Sequence, residues 1–377
     1  MTWVVPAELE EIVYAAARDV VGDEPLATAA LTRAIIDRSR RYTSDRDRIA
    51  APVDPTADLA ARAVFFTLAD AMKVAIPLAE LVGRSALPAR RPLRVVDIGA
   101  GCGAMSLGLV ASLTSDATGD AAFDITAIDH DLDALRIATT ALRALGRRRD
   151  VDLEITTRVA DVETTALPAG DVALLGSVLN ELSPPARFAL IERALSAIHR
   201  DGAVIIVEPA LRETSRALHE LRDAILGKQL AHVFAPCTRG GAPCPALADP
   251  NDWCHEDRGV MLPPRTAELA RLTHLRDAGL KFSYLVLRHS QLPLVEAAGA
   301  WRVVSAPHAP KGKLELYGCS EVGRIPLRLL KRNRSMANRA FERARRGDVL
   351  VVGAPAGDER VELTAETQVD AHRPAGR

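Results

Sequence analysis

The sequence predicts a doubly wound α/β domain, preceded by a helical region, interrupted by a cysteine-rich insertion and followed by a small, basic, strand-rich extension. Three observations carry this. Apolar runs of strand length alternate with segments of helical periodicity over residues 89–310. The first run ends in the glycine-rich turn Asp97-Ile98-Gly99-Ala100-Gly101-Cys102-Gly103. Three of five cysteines, Cys237, Cys244 and Cys254, share one Pro/Gly-rich segment, and Cys319 follows later.

Length and composition bound the answer. With 377 residues, 48% hydrophobic and 26% charged, the chain suits one large globular domain with appendages. A net charge of -1 excludes a global field that would draw the whole protein onto nucleic acid. The N-terminus MTWVVPAELEEIVYAAARDV carries acids where a signal peptide needs a basic start, and no apolar run spans a bilayer. The expectation is a monomer in the cytoplasm without a membrane partner. Thiols stay reduced there, so clustered cysteines point to metal or redox chemistry rather than disulfides.

The elements follow in order. Residues 1–88 are expected to be helical, with apolar residues at helical spacing from Asp58 to Val82 and a break around Pro52 and Pro55. Strand–helix units then run through PLRVVDIGAG and AMSLGLVASL, FDITAIDHD and LDALRIATTALRALG, and the strand LEITTRVAD. DVALLGSVLNEL and PPARFALIERALSAI follow, then GAVIIVEPA and TSRALHELRDAIL. Such units imply a parallel sheet covered on both faces. The cysteine insertion occupies 232–262, after which PPRTAELARLTHLRDAG and KFSYLVLRH resume helix and strand. Residues 311–353 read as a basic extension of short strands carrying the fourth cysteine, and 354–377 as a polar, disordered tail.

Glycines in the turn after strand one let a ligand approach the backbone, and helix N-terminal amides favour an anionic group there. Gly99-x-Gly101-x-x-Ala104 also satisfies the dinucleotide fingerprint, so the turn alone is ambiguous. Three acids favour S-adenosylmethionine (SAM). Asp97 sits two residues before Gly99, suited to the ligand's ammonium. Asp129 ends strand two, suited to the ribose hydroxyls, and Asp161 ends strand three, suited to the adenine amino group. With Gly99, Gly101 and Gly103 they make a methyltransferase-like cofactor set. Cys102 reads as a small residue within a tight turn. At the end of strand four, in Ser177-Val178-Leu179-Asn180-Glu181-Leu182-Ser183-Pro184-Pro185, Asn180 and Glu181 are candidates to line the acceptor site. Equally, Asn180 caps a turn and Glu181 is solvated.

The spacing Cys237-x6-Cys244-x9-Cys254, then Cys319, lacks the tight pairs of common zinc modules. Wide, irregular spacing suits an iron–sulfur centre better, with zinc and unligated thiols as alternatives. His232 and His255 are possible nitrogen ligands, although His255 adjoins Cys254 and reads as a packing residue. Between Arg324 and Arg346 lie nine cations: Arg324, Arg328, Lys331, Arg332, Arg334, Arg339, Arg343, Arg345 and Arg346. Phe341 is the lone aromatic among them, which favours backbone contact with structured RNA over base stacking. A solvated basic face is the bland alternative.

Together, RVVDIGAGCGAMS, VLNELSPPAR, VIIVEPA with RALHELRDAIL, the APC, CP and DWCH segments, LKFSYLVLRH and the basic ARRGD end resemble one family over residues 40–350. It is the methyltransferase-like proteins associated with the small ribosomal subunit, with mitochondrial assembly factors and bacterial relatives. The resemblance implies a class I SAM-dependent methyltransferase fold. It also implies a [4Fe-4S] cluster on Cys237, Cys244, Cys254 and Cys319, and action on ribosomal RNA of the small subunit or its precursor. This chain departs from the pattern at Thr238-Arg239-Gly240 and at Glu256, while keeping the cysteines. The family does not imply a defined methylated product. A non-catalytic assembly factor and a small-molecule methyltransferase with a zinc loop remain as rivals.

Overall fold

The computed structural model describes residues 3–43, 52–114, 121–276, 279–353, 357 and 359–373. The N-terminal region is helical: α1 (Ala7–Val21), α2 (Thr28–Thr43), α3 (Pro55–Ala61), α4 (Leu68–Ala71) and α5 (Ala75–Gly83). Asp54 starts α3 by accepting from the Ala57 N–H at 2.9 Å, with Pro55 at the first helical position. The periodic stretch from Asp58 to Val82 is helical in pieces. A π-helical turn over Arg62–Thr67 joins α3 to α4, and Met72 to Val74 turn before α5.

The central sheet contains β1 (Leu93–Ile98), β2 (Ala122–Asp129), β3 (Asp152–Val159), β4 (Gly170–Gly176), β5 (Ile198–Pro209), β6 (His232–Ala235) and β7 (Leu280–Arg288), with the short segment Glu256–Arg258 also pairing with β7. Their order is β3-β2-β1-β4-β5-β7-β6. The first five are parallel, and β7 runs antiparallel to β5 and β6. This is the doubly wound class I SAM-dependent methyltransferase fold. Alternation along each strand divides the core. Val95, Ile125, Leu174 and Ile205 face α6 (Ala104–Leu113), α7 (Leu132–Arg149) and the N-terminal helices. Val96, Ala173, Leu175 and Ile206 face α8 (Pro184–Ala197) and α9 (Arg212–Gly227). Strand order reverses between β1 and β4, which opens a crevice at their carboxyl ends. Helix α6 packs tightly on the N-terminal region, since a Cβ at Gly108 would lie 1.8 Å from the Ala71 carbonyl oxygen. Helix α10 (Pro264–Thr273) precedes β7.

A second sheet follows, with its own core: β8 (Ala300–Val303), β9 (Lys313–Ser320), β10 (Gly323–Leu330), β11 (Val349–Val352), β12 (Val361–Leu363) and β13 (Val369–His372). Its order is β12-β10-β9-β8-β11-β13, with the short helix α11 (Arg339–Glu342) before β11. Two expectations are corrected here. The strand-rich extension begins at Ala300, before 311, because β8 pairs with β9 and β11. The tail expected to be disordered supplies β12 beside β10 and β13 beside β11, burying Val361, Leu363 and Val369. Segments of three or four residues show too little alternation to be read as strands, and their burial depends on a sheet formed elsewhere.

Candidate cofactor pocket and thiol cleft

The glycine turn leaves β1 and crosses toward β2, where the Gly99 and Ala100 N–H groups donate to the Ile128 carbonyl at 2.8 and 3.0 Å. Gly99 has φ +70°, and a Cβ there would meet Val178 Cγ2 at 2.4 Å. Gly103 takes φ +86° at the start of α6, and a Cβ would meet Ala138 Cβ at 3.0 Å. Neither position tolerates a side chain. Asp97 is 1% exposed. Its Oδ2 accepts from the Ser106 N–H (3.2 Å) and Oγ–H (2.5 Å), while its Oδ1 is buried with no partner. Burial pushes the carboxyl up to about 6, against the pull of Ser106. A buried, unpartnered carboxylate oxygen beside a glycine turn is suited to receive a donor or cation from a ligand.

Asp129, at the end of β2, accepts from the Gly101 N–H (2.8 Å) and the Asp131 N–H (2.9 Å). It therefore braces the glycine turn, and any ribose contact must share its oxygens. Asp161 is exposed just past β3 and accepts from the Glu163 N–H at 2.8 Å. The fold thus brings Asp97, Asp129 and Asp161 to the carboxyl ends of β1, β2 and β3. Cys102 is 4% exposed beneath the turn, and burial pushes its thiol up to about 11. It takes no part in the cysteine cleft.

Sequence reasoning missed two features of this crevice. Arg62, from the π-helical turn, donates to Asp131 at 2.5 Å, and its Nη2 lies 3.5 Å from where a Gly101 Cβ would stand. No local pattern announces that pair, which is 69 residues apart. Glu208, near the end of β5, is 1% exposed. It accepts from the Leu179 N–H and the Asn180 side-chain amide, both at 2.9 Å. Burial pushes it up to about 7. An acid closing the apolar run VIIVEP was the available signal. Asn180 is thus held by Glu208, next to Ser177, which takes the strained φ of +60°. Glu181 is exposed near Tyr42, whose phenol is raised by burial.

The cysteine insertion is organised by one face of α9. Arg216 Nη1 donates to the carbonyls of Ala246 (3.0 Å), Asp249 (2.7 Å) and Asp252 (2.9 Å). His219 Nε2 accepts from the Cys254 N–H at 3.1 Å, and Asp223 accepts from the Cys244 N–H at 2.9 Å. The loop is also bound to the β9–β10 hairpin: Thr238 Oγ1 donates to the Cys319 carbonyl (3.0 Å) and Arg239 to the Ser320 carbonyl (2.6 Å). Through these ties Cys237, Cys244, Cys254 and Cys319 come to line one open cleft of about 550 Å³. Burial, reinforced by neighbouring thiols, pushes Cys244 up to about 11 and Cys319 to about 12, and raises Cys254 as well. Among the described residues, no group of three or more His, Cys, Asp or Glu side chains is placed to hold a metal ion. His255 stacks on Trp253 at 5.9 Å, and His232 is an exposed residue of β6.

The nine cations of the basic end divide. Arg324 pairs with Asp252, Arg328 with Glu362, and Arg346 donates to the His255 carbonyl at 2.9 Å, so these three hold the fold. Lys331, Arg332, Arg334, Arg339, Arg343 and Arg345 are exposed, Arg334 lying 3.4 Å from Glu342. Among the described residues no helix is long and apolar enough to cross a membrane.

A family model described as mitochondrial small ribosomal subunit Rsm22 matches residues 62–350. No curated protein sequence matches the chain significantly. Among solved structures, the chain is similar to SAM-bound magnesium protoporphyrin IX methyltransferase from Synechocystis PCC 6803. That match has 14% identity and a TM-score of 0.36, and covers 68% of this chain and 96% of the other. A Listeria monocytogenes structure described as a class I SAM-dependent methyltransferase shares 10% identity with a TM-score of 0.37, covering 76% and 90%.

Proposed function

From the membership of this chain in the Rsm22 family, described as mitochondrial small ribosomal subunit Rsm22, we propose that it binds SAM and acts on the small ribosomal subunit or its precursor, with ribosomal RNA as methyl acceptor. One observation carries the reading: the family match over 62–350 takes in the glycine turn, the Asn180 turn, all four cleft cysteines and the exposed cations as one unit. In this reading Asp97 receives the ligand ammonium through its unpartnered oxygen, and Gly99, Gly101 and Gly103 admit the ligand against the backbone. Asp129 and Asp161 face the ribose and adenine. Asn180, held by Glu208, positions the acceptor beside the sulfonium methyl, where the protein's contribution is proximity and orientation.

Cys237, Cys244, Cys254 and Cys319 would hold a [4Fe-4S] cluster. Four thiols lining one cleft, at spacings that lack the tight pairs of common zinc modules, suit an iron–sulfur cluster better than a single zinc ion. Bound, the cluster would supply a covalent staple between the insertion and β9, and a centre able to exchange one electron.

Catalysis is tested with isotope-labelled SAM and small subunits from cells lacking the protein. Label at a discrete ribosomal RNA position, abolished by Asp97→Ala, is the expected outcome. Tight binding without label would make it an assembly factor that works by contact, a reading favoured by the engagement of the Asn180 amide with Glu208. RNA affinity should fall steeply with salt, and changing Arg332, Arg339 and Arg343 to Gln together should flatten that dependence. An unchanged salt slope would remove RNA from the reading.

A further inference from the structure

We propose that Arg222 and Arg239 are positioning residues for the iron–sulfur site, donating N–H groups into the thiol cleft and balancing the negative charge of what it holds. The inference rests on the cluster reading above.

Arg222, on α9, is 1% exposed and lines the cleft with all four cysteines. Its Nη1 donates to the Ala242 carbonyl at 3.0 Å and to Asp223. Its Nε and Nη2 are buried without a hydrogen-bond partner. Arg239, two residues after Cys237, is 8% exposed on the same cleft, and its Nε is likewise unpartnered. Folded proteins rarely leave buried guanidinium donors unsatisfied, because removal from water costs several kcal/mol per ion. Two arginines with such donors on one cleft are suited to an anionic acceptor inside it.

A cluster bound by four thiolates carries net negative charge and has sulfur acceptors on every face. The other charged side chains at this cleft are already engaged. Arg324 pairs with Asp252, and Asp223 accepts from Arg222 and the Cys244 N–H. His219 is engaged too, its Nε2 accepting from the Cys254 N–H at 3.1 Å. Of the arginines lining this cleft, Arg222 and Arg239 are the ones that keep buried N–H groups without a partner, and so are placed to offset the cluster. Adding an electron increases its negative charge, so nearby guanidinium groups favour the reduced form and raise the reduction potential.

The test uses the full chain, reconstituted anaerobically with iron and sulfide, with iron and sulfide content and midpoint potential as readouts. Wild type is compared with Arg222→Gln, Arg222→Lys and Arg239→Gln. Gln keeps a polar amide but loses the charge and the guanidinium donors that face the cleft. Arg222→Gln and Arg239→Gln should each lower the potential, the double variant more so, while Arg222→Lys stays near wild type. If Arg222→Gln cannot hold the cluster, retention in Arg222→Lys supports the charge role, whereas loss in both overturns it. Full cluster content at the wild-type potential in both Gln variants also overturns it. Wild-type protein that takes up zinc alone, or no iron, sinks the cluster reading itself, a result separable from failure of the arginine assignment.

Discussion

Asp97 concentrates the logic of the cofactor pocket in one carboxyl group. Its burial raises the folded pKa to about 6, above the ordinary unfolded value of about 3.9. The folded state therefore holds the proton more tightly. Stability from this group is full below the unfolded value and is lost as pH rises through 6. A shift of roughly two units corresponds to about 3 kcal/mol at neutral pH. Asp97→Asn should thus melt higher than wild type at pH 7 to 8 without ligand. The gain should vanish near pH 4, and SAM affinity should drop in calorimetry. Equal melting temperatures across that range would show that the carboxylate is not strained by burial. At the other side of the crevice, Glu208→Ala would leave the Leu179 N–H and Asn180 amide without their acceptor. A loss of about 1–3 kcal/mol is expected in denaturant titration.

Among the elements, α9 does the work of ordering a loop that has no core of its own. Residues 216, 219, 222 and 223 recur at helical spacing, so one face presents Arg216, His219, Arg222 and Asp223 to the insertion. Arg216→Ala removes one donor shared by three carbonyls. Hydrogen exchange over 245–254 should accelerate at least tenfold while exchange in β1–β5 is unchanged. Uniform acceleration would mean the loop and sheet open together. The helices and parallel strands were legible in the sequence because their hydrophobic periods are long and local, as with AMSLGLVASL, which forms α6 over 104–113. Strands β12 and β13 were not, since their apolar residues become inward-facing only once β10 and β11 offer edges to pair with.

The two large sheets of the molecule are joined by a buried charge network. Arg302 of β8 donates to Glu80 of α5 (2.5 Å), to the Tyr284 hydroxyl of β7 (2.6 Å) and to Glu256 of the insertion (3.1 Å). Tyr284 in turn donates to Glu80 at 2.8 Å. Arg302→Met leaves both carboxylates buried without their shared cation. It should cost about 3–5 kcal/mol, read as a lower thermal midpoint. Truncation after Gly353 removes β12 and β13, with Val361, Leu363 and Val369. Each buried side chain is worth about 1.5–3 kcal/mol, and the exposed edges of β10 and β11 invite association. A truncated chain that melts like wild type and keeps the wild-type oligomeric state would show those strands to be dispensable.

The sequence by itself determined the fold class, the glycine turn and the family, because alternating apolar runs, backbone-permissive glycines and motif spacing are properties of neighbouring residues. Only the tertiary structure decided which groups meet. Arg62 closes over Asp131, Glu208 holds Asn180, and Cys319 crosses from a second sheet to the loop bearing Cys237. Of nine clustered cations, it committed three to internal pairs and left six exposed. The physical reason is that a charge or thiol is indifferent to sequence distance. Its partner is whatever the packed sheets bring within hydrogen-bond reach, and burial then fixes how much that partner matters.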